Sequence, residues 1–281
     1  MATRSVAALL GNAIDYAGMF PPAGLPVREA VTAYCRYRDS PDAWILGVLV
    51  VAVEHFGEVD GGAGPLSVVM RAPTAAAIDE LLQRCETRKI AALEAGPAEP
   101  AQIAEIAAAV PPGIQLFFEA PVDDDLERRL DAIATCRALA KMRTGGLTPD
   151  AFPPRSSVYR FLRACADRRL ASKATAGLHH AVSGRYPITY ERGSTSVAMF
   201  GFVNVSVAAA LVHAGEAEHD VLEALAEASP AAFTFDDEGI AWRGRRLSTG
   251  ELATMREALF RSFGSCSLRE PIDELSAMKA I

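Results

Sequence analysis

Short apolar runs alternate with amphipathic stretches along the chain. Ile14–Phe20, Trp44–Val53, Leu66–Arg71, Ile90–Leu93, Ile114–Phe118, Ala138–Met142 and Leu170–Thr175 are runs of about strand length. Their near-continuous apolar character predicts strands buried on both faces, as in a parallel sheet. Between them, apolar residues recur every three or four positions. Examples are Val27, Ala30, Val31, Tyr34 and Cys35, then Ile78, Leu81, Leu82 and Cys85, then Val158, Leu162 and Cys165. That spacing marks one face of a helix. Met199–His213 reads as a buried helix, and Leu252, Met255, Leu259 and Phe263 predict a last one. An eighth strand is expected near Phe233, where Ala232–Phe235 and Ile240–Trp242 flank a turn over Asp236-Asp237-Glu238-Gly239. Strands separated by helices imply a parallel sheet, and eight such units predict a (β/α)8 TIM barrel, an α/β fold, as a single domain over residues 1–281. The first strand is not followed by G-x-G-x-x-G, so no dinucleotide site and no cofactor is expected.

Composition narrows the partners. Half of the 281 residues are hydrophobic and 22% are charged, which is a globular composition. The net charge is −7 and the basic residues are scattered among acidic ones, which speaks against nucleic acid as a partner. The five cysteines, Cys35, Cys85, Cys136, Cys165 and Cys266, are odd in number, widely spaced and without C-x-x-C. They read as free thiols in a reducing cytoplasm rather than as disulfides or a zinc site. The apolar stretch Met1–Gly11 is short and soon followed by Asp15, so neither a signal peptide nor a membrane span is expected. The expected partner is an anionic small molecule, and a homo-oligomer is compatible with the sequence because many barrels dimerise.

Polar residues end the apolar runs with regularity. Asp15 lies in the first strand, Glu94 ends the fourth and Glu119 the fifth. Lys141 and Arg143 end the sixth, and Lys173 the seventh, followed by His179 and His180. In a barrel these positions converge on one mouth, where catalytic groups are found. Lysine is almost never placed in a buried parallel strand without a partner or a purpose. A second cation and a dry pocket lower a lysine pKa, which frees a neutral amine to attack a carbonyl, with a carboxylate moving protons. Lys141, near Lys173 and Arg143, suits that chemistry. Thr144, Gly145 and Gly146 after strand six, and Thr175–Gly177 after strand seven, offer backbone N–H groups for an anion. Asn204, near the start of a helix, is a further candidate to face the pocket. The Ser183–Ser196 loop is long enough to be a lid.

Four short motifs, in order, carry a resemblance to a family. Lys141-Met-Arg-Thr-Gly resembles the K-x-x-T-G strand of deoxyribose-phosphate aldolases and related class I aldolases. Lys173-Ala-Thr-Ala-Gly-Leu resembles their K-A-x-x-G-I strand, Ile14-Asp15-Tyr16 their I-D-H strand, and Glu119 their glutamate-ending fifth strand. The resemblance implies a lyase in which Lys141 forms the Schiff base and Lys173 depresses its pKa and relays protons. Glu94 stands where the family has an aspartate, Arg143 where a small residue is usual, and Ala176 where a glycine is. His179-His180 replaces part of the phosphate loop. Three other readings compete. One is a phosphoribosyltransferase-like barrel in which the same cations clamp a phosphate or carboxylate without an imine. Another is a metal enzyme using Asp15, Glu94, Glu119 and His179 or His180. The last is a binding barrel without catalysis.

Overall fold

The computed structural model describes residues 2–85 and 89–281; Met1, the first residue of the apolar N-terminal stretch, lies outside the described residues. Seven parallel strands come first: β1 (Ile14–Tyr16), β2 (Leu46–Ala52), β3 (Leu66–Met70), β4 (Ile90–Ala95), β5 (Gln115–Glu119), β6 (Leu139–Arg143) and β7 (Ser172–Thr175). A hairpin follows, β8 (Gly184–Pro187) with β9 (Ser196–Met199), and then a three-stranded antiparallel sheet, β10 (Phe233–Phe235), β11 (Gly239–Trp242) and β12 (Arg245–Ser248). Strand β13 (Phe260–Ser265) pairs with β7 on one side and β1 on the other and closes an eight-stranded parallel barrel. This is the TIM-barrel architecture.

Helices α1 (Arg4–Leu10), α2 (Val27–Arg38), α3 (Ala75–Gln83), α4 (Pro100–Ala109), α5 (Leu126–Thr135), α6 (Arg155–Asp167), α7 (Phe202–His213), α8 (Glu218–Ala226), α9 (Thr249–Ala258) and α10 (Arg269–Ala277) accompany the barrel. Among the described residues, no helix is long and apolar enough to cross a membrane. Eleven of the twelve residues of α7 are buried, so this helix is covered on all sides. It packs among α6, α8, α9 and β13.

The structure corrects the expected eighth strand. Phe233 belongs to the small antiparallel sheet, and the barrel is closed by residues that share the helical spacing of Leu252, Met255, Leu259 and Phe263. Helix α9 ends at Ala258, where the Leu259 N–H still bonds to the Met255 carbonyl but its φ of −131° leaves the helix. Phe263 then pairs with Ile14 across β13 and β1 and stacks on Phe202 of α7, with ring centroids 5.1 Å apart. Two boundaries also shift. Strand β1 stops at Tyr16, before the turn that contains Pro21 and Pro22, and Met199 belongs to β9 rather than to α7.

Alternation along the strands decides what faces the barrel axis. Ser67, Val69 and Arg71, then Ala92, Glu94 and Gly96, then Gln115, Phe117 and Glu119 succeed one another at every second position and line the interior cavities. We predict that Phe263→Ala, which empties a fully buried position on a barrel strand, lowers unfolding free energy by about 3–5 kcal/mol in urea titrations. A loss well under about 1 kcal/mol, as expected of a surface position, would contradict the place given to β13.

Candidate active site

Strand register builds the site. Glu119, Lys141 and Lys173 stand side by side across β5, β6 and β7. Ser262 of β13 is level with Lys173, and Glu94 of β4 is level with Phe117 of β5. Because a one-residue slip would reverse each side chain's direction, the hydrogen-bonded register is what aims these groups at one another.

Both lysines are almost fully buried, as are Asp15 and Glu94. The Lys173 ammonium donates to Asp15 Oδ2 and, over 2.8 Å, to Glu94 Oε1. Ser262 donates to the same Asp15 oxygen (2.8 Å) and Ser67 to the same Glu94 oxygen (2.7 Å). Lys173 also lies over the Phe117 ring, 5.2 Å from its centroid. Lys141 is held less closely. Its Nζ is 3.3 Å from Glu94 Oε2 and 3.8 Å from Glu119 Oε2. Glu119 is itself gripped by Arg143, whose Nε and guanidinium tip each lie 3.3 Å from a carboxylate oxygen.

The electrostatics follow from this pairing. Burial alone would raise the Glu94 carboxyl, but the Lys173 and Lys141 ammonium groups outweigh it and hold it down to about 2. Burial would likewise push Lys173 down, and Asp15 and Glu94 instead hold it above the usual lysine range. Glu94 thus stays ionised and Lys173 stays cationic across the physiological range. Lys173 bears two counter-charges of its own, so it does not stand as the bare cation beside Lys141 that the sequence suggested.

A cavity of about 550 Å³ opens above this network. Glu94, Glu119, Lys141, Arg143, Lys173 and His179 line it, together with Gly146 and Gly177. Phe20, Leu147, Phe152, Ile188 and Met199 form an apolar wall. Ile188 and Met199 come from the β8–β9 hairpin, which occupies the stretch read as a lid loop. A second cavity, of about 510 Å³, enters from the N-terminal ends of the strands and reaches Asp15, Ser67, Ser262 and Lys173. Lys173 is therefore the partition between the two.

Several sequence candidates lie elsewhere. Asp15 sits beneath Lys173 rather than on the upper cavity wall. Thr144 is buried and its hydroxyl bonds to the Ala176 carbonyl, which ties the loops after β6 and β7 together. Gly145 serves the same junction, since a Cβ there would meet Gly177 Cα at 2.7 Å. His180 stacks on Tyr186 and its Nδ1 lies 2.7 Å from Glu274 Oε1, away from the cavity. Asn204 is fully buried in α7, where it accepts from the Ser183 N–H and donates to the Ala224 and Glu227 carbonyls. It links three segments and does not face the pocket. His179 does face it, and burial, with some help from His180, lowers the ring to about 4, so it is neutral. Among the described residues, no group of three or more His, Cys, Asp or Glu is arranged to hold a metal ion.

Sequence reading passed over Arg71, Ser67 and Ser262. Arg71 directly ends the third apolar run, the signal that singled out Glu94 and Glu119. The serines carried no signal, because a serine in a strand is as often a filler as a partner.

No protein-family model matches the chain, and no curated protein matches its sequence. Among solved structures, a point variant of mandelate oxidase with 4-Br-2-hydroxy-methylphenylacetate superimposes with a TM-score of 0.40 at 11% identity. The match covers 88% of this chain and 74% of that one. So slight a likeness bears on neither activity nor ligand.

The Glu94 pairing has a signed consequence for acid stability. A carboxyl held at about 2, against an ordinary 4.5, contributes stability that is complete above pH 4.5 and is lost as pH falls towards 2. We expect Glu94→Gln to cost about 3–5 kcal/mol at neutral pH, because it leaves buried ammonium charge short of a counter-ion. Its stability should also fall less than the wild type's between pH 4.5 and 2. Urea midpoints across that window test this, and parallel pH profiles would contradict it.

Proposed function

We propose that the chain is a class I aldolase-like lyase acting on a small carbonyl compound through a Schiff base on Lys141. The observation that carries the reading is the choice of cation. The chain has four lysines and 24 arginines. Lys89 and Lys279 are exposed, and the other two lysines stand side by side in the barrel interior. Arginine serves the surface ion pairs, among them Arg128, Arg160 and Arg269. Guanidinium forms the better fixed ion pair but does not lose its proton, whereas an amine can do so and become a nucleophile. Two lysines in the one place where a charge is most expensive point to amine chemistry rather than to salt-bridging.

The geometry supports a division of roles. Lys173, bonded to two carboxylates, stays a cation and fixes Glu94 and Asp15. Both lysines reach the cavity, and Lys141 makes only the longer contacts, so it is the amine free to react. Lys141 gives a proton to Glu119, and the lone pair so freed adds to the substrate carbonyl carbon as the oxygen takes up a proton. The resulting carbinolamine loses that oxygen as water, leaving an iminium at Nζ. The iminium accepts the electron pair of the Cα–Cβ bond, counted from the iminium carbon, as that bond breaks. The hydroxyl of the departing fragment gives up its proton and leaves as an aldehyde, and the remaining enamine takes a proton on carbon before hydrolysis. Glu119, which touches both Lys141 and the cavity, is placed to carry these protons. Glu94 is held too acidic for that work and serves as counter-ion to the iminium.

The anion-clamp reading has less support, because Lys141, Lys173 and Arg143 are each already engaged by a carboxylate of the chain. Borohydride trapping separates the two. The protein is incubated with small aldehydes, ketones and keto acids, reduced, and mapped by mass spectrometry beside an authentic class I aldolase. We expect an adduct on Lys141 that is lost in Lys141→Ala. Adduct formation should slow by about a hundredfold or more in Glu119→Gln, which keeps the side-chain volume. No adduct across the panel, or an adduct that survives in Lys141→Ala, would overturn the proposal.

A further inference from the structure

Among the described residues, the charges in and directly beneath the upper cavity do not cancel, and the surplus has a single address. Three carboxylates, Asp15, Glu94 and Glu119, face three cations, Lys141, Lys173 and Arg143, and each of the six is paired within the set. Arg71 also lines the cavity, and among the described residues it makes no ion pair or hydrogen bond. It stands just beyond β3, two residues past Val69, which is level with Glu94, and it is exposed on the cavity wall. Across the cavity the chemistry is different. Where barrels often hold a phosphate, after the seventh and eighth strands, this chain presents His179 and Cys266, with Cys266 Sγ 3.6 Å from His179 Nδ1. Both are neutral, since burial lowers the imidazole to about 4 and raises the thiol. Between the two sides lies the apolar wall, which ends in Leu147, a residue 56% exposed at the cavity rim.

We infer that Arg71 is the specificity-determining residue of this site and selects a carbonyl substrate that carries one carboxylate on an apolar body. The inference rests on the imine reading for the carbonyl end and on Arg71 for the other. One unpaired guanidinium balances one negative charge and can take a carboxylate through two parallel hydrogen bonds. A phosphate monoester brings nearly two charges at neutral pH, and on the side of the mouth that would receive it the described cavity wall presents His179 and Cys266 rather than a cation. An iminium on Lys141 keeps the positive charge of the ammonium it replaces. The ionic set below therefore stays balanced through the reaction, and Arg71 remains the partner of the substrate anion.

The test uses short straight-chain aldehydes that end in a carboxylate, the matching methyl ester or a phosphate, trapped on the whole protein with borohydride. Calorimetric binding of hexanoate, which has no carbonyl group, gives a readout that does not need the imine. We expect the carboxylates to be trapped about tenfold or more efficiently than their esters. In Arg71→Ala that preference should vanish, with ester trapping within about twofold of wild type, and hexanoate binding should weaken by about tenfold or more. Arg71→Glu should favour the esters. A carboxylate preference that persists in Arg71→Ala, or a phosphate trapped better than the carboxylate, would overturn the inference. The two proposals fail separately. Arg71-dependent hexanoate binding without any adduct upholds Arg71 and removes the imine, and adducts indifferent to Arg71 do the reverse.

Discussion

The structure depends on four buried acidic and basic side chains, Asp15, Glu94, Lys141 and Lys173, drawn together inside a parallel barrel. TIM-barrel interiors are ordinarily filled with branched apolar side chains. Here the middle of the barrel is a salt-bridge network with serine hydroxyls at its edges. Taking such charges out of water costs several kcal/mol for each, and only close mutual pairing offsets it. Glu94 is the hinge of the arrangement because it is the one anion shared by both lysines. The strand register that brings six strands' side chains to this point is therefore under tight constraint, and stability and site geometry are one problem.

The network also explains why two adjacent lysines can coexist. Placed together without counter-charge, they would repel, and one would shed its proton on that ground alone. Lys173 is instead neutralised from below by Asp15 and from the side by Glu94. What distinguishes Lys141 is the length of its contacts, 3.3 and 3.8 Å, against the closer bonds that hold Lys173. The lower cavity brings the N-terminal end of the barrel to the same Lys173–Asp15 pair, and Gly47 leaves room there, since a Cβ would lie 2.5 Å from Asp15 Oδ1.

Seven barrel strands were legible because a parallel strand buried on both faces leaves an unbroken apolar run. Glu94, Glu119, Lys141 and Lys173 were legible as candidates because each stands at or near the end of an apolar run, whereas Asp15 lies beneath them. Strand β13 was hidden for a physical reason. Its sequence, Phe-Arg-Ser-Phe-Gly-Ser, carries serines and a glycine at the crowded closure of the barrel, while Phe263 continues the helical spacing of Leu259 and Met255. His180 and Asn204 misled for another reason. Their partners, Glu274 and the Glu227 carbonyl, come from distant segments, and no local pattern announces such bonds. Arg71 obeyed the same strand-end rule as Glu94 and was passed over because no motif surrounds it.

The central claim is that Lys141 bonds covalently to a carbonyl carbon. The most direct measurement is carbon–nitrogen correlation by NMR, with a carbonyl-labelled carboxylated aldehyde and protein labelled at its lysine nitrogens. The account predicts a one-bond coupling to a single lysine nitrogen, absent in Lys141→Ala and retained in Lys173→Arg if that variant folds. Only free carbonyl and hydrate signals at saturating ligand, or a coupling that persists without Lys141, would contradict it.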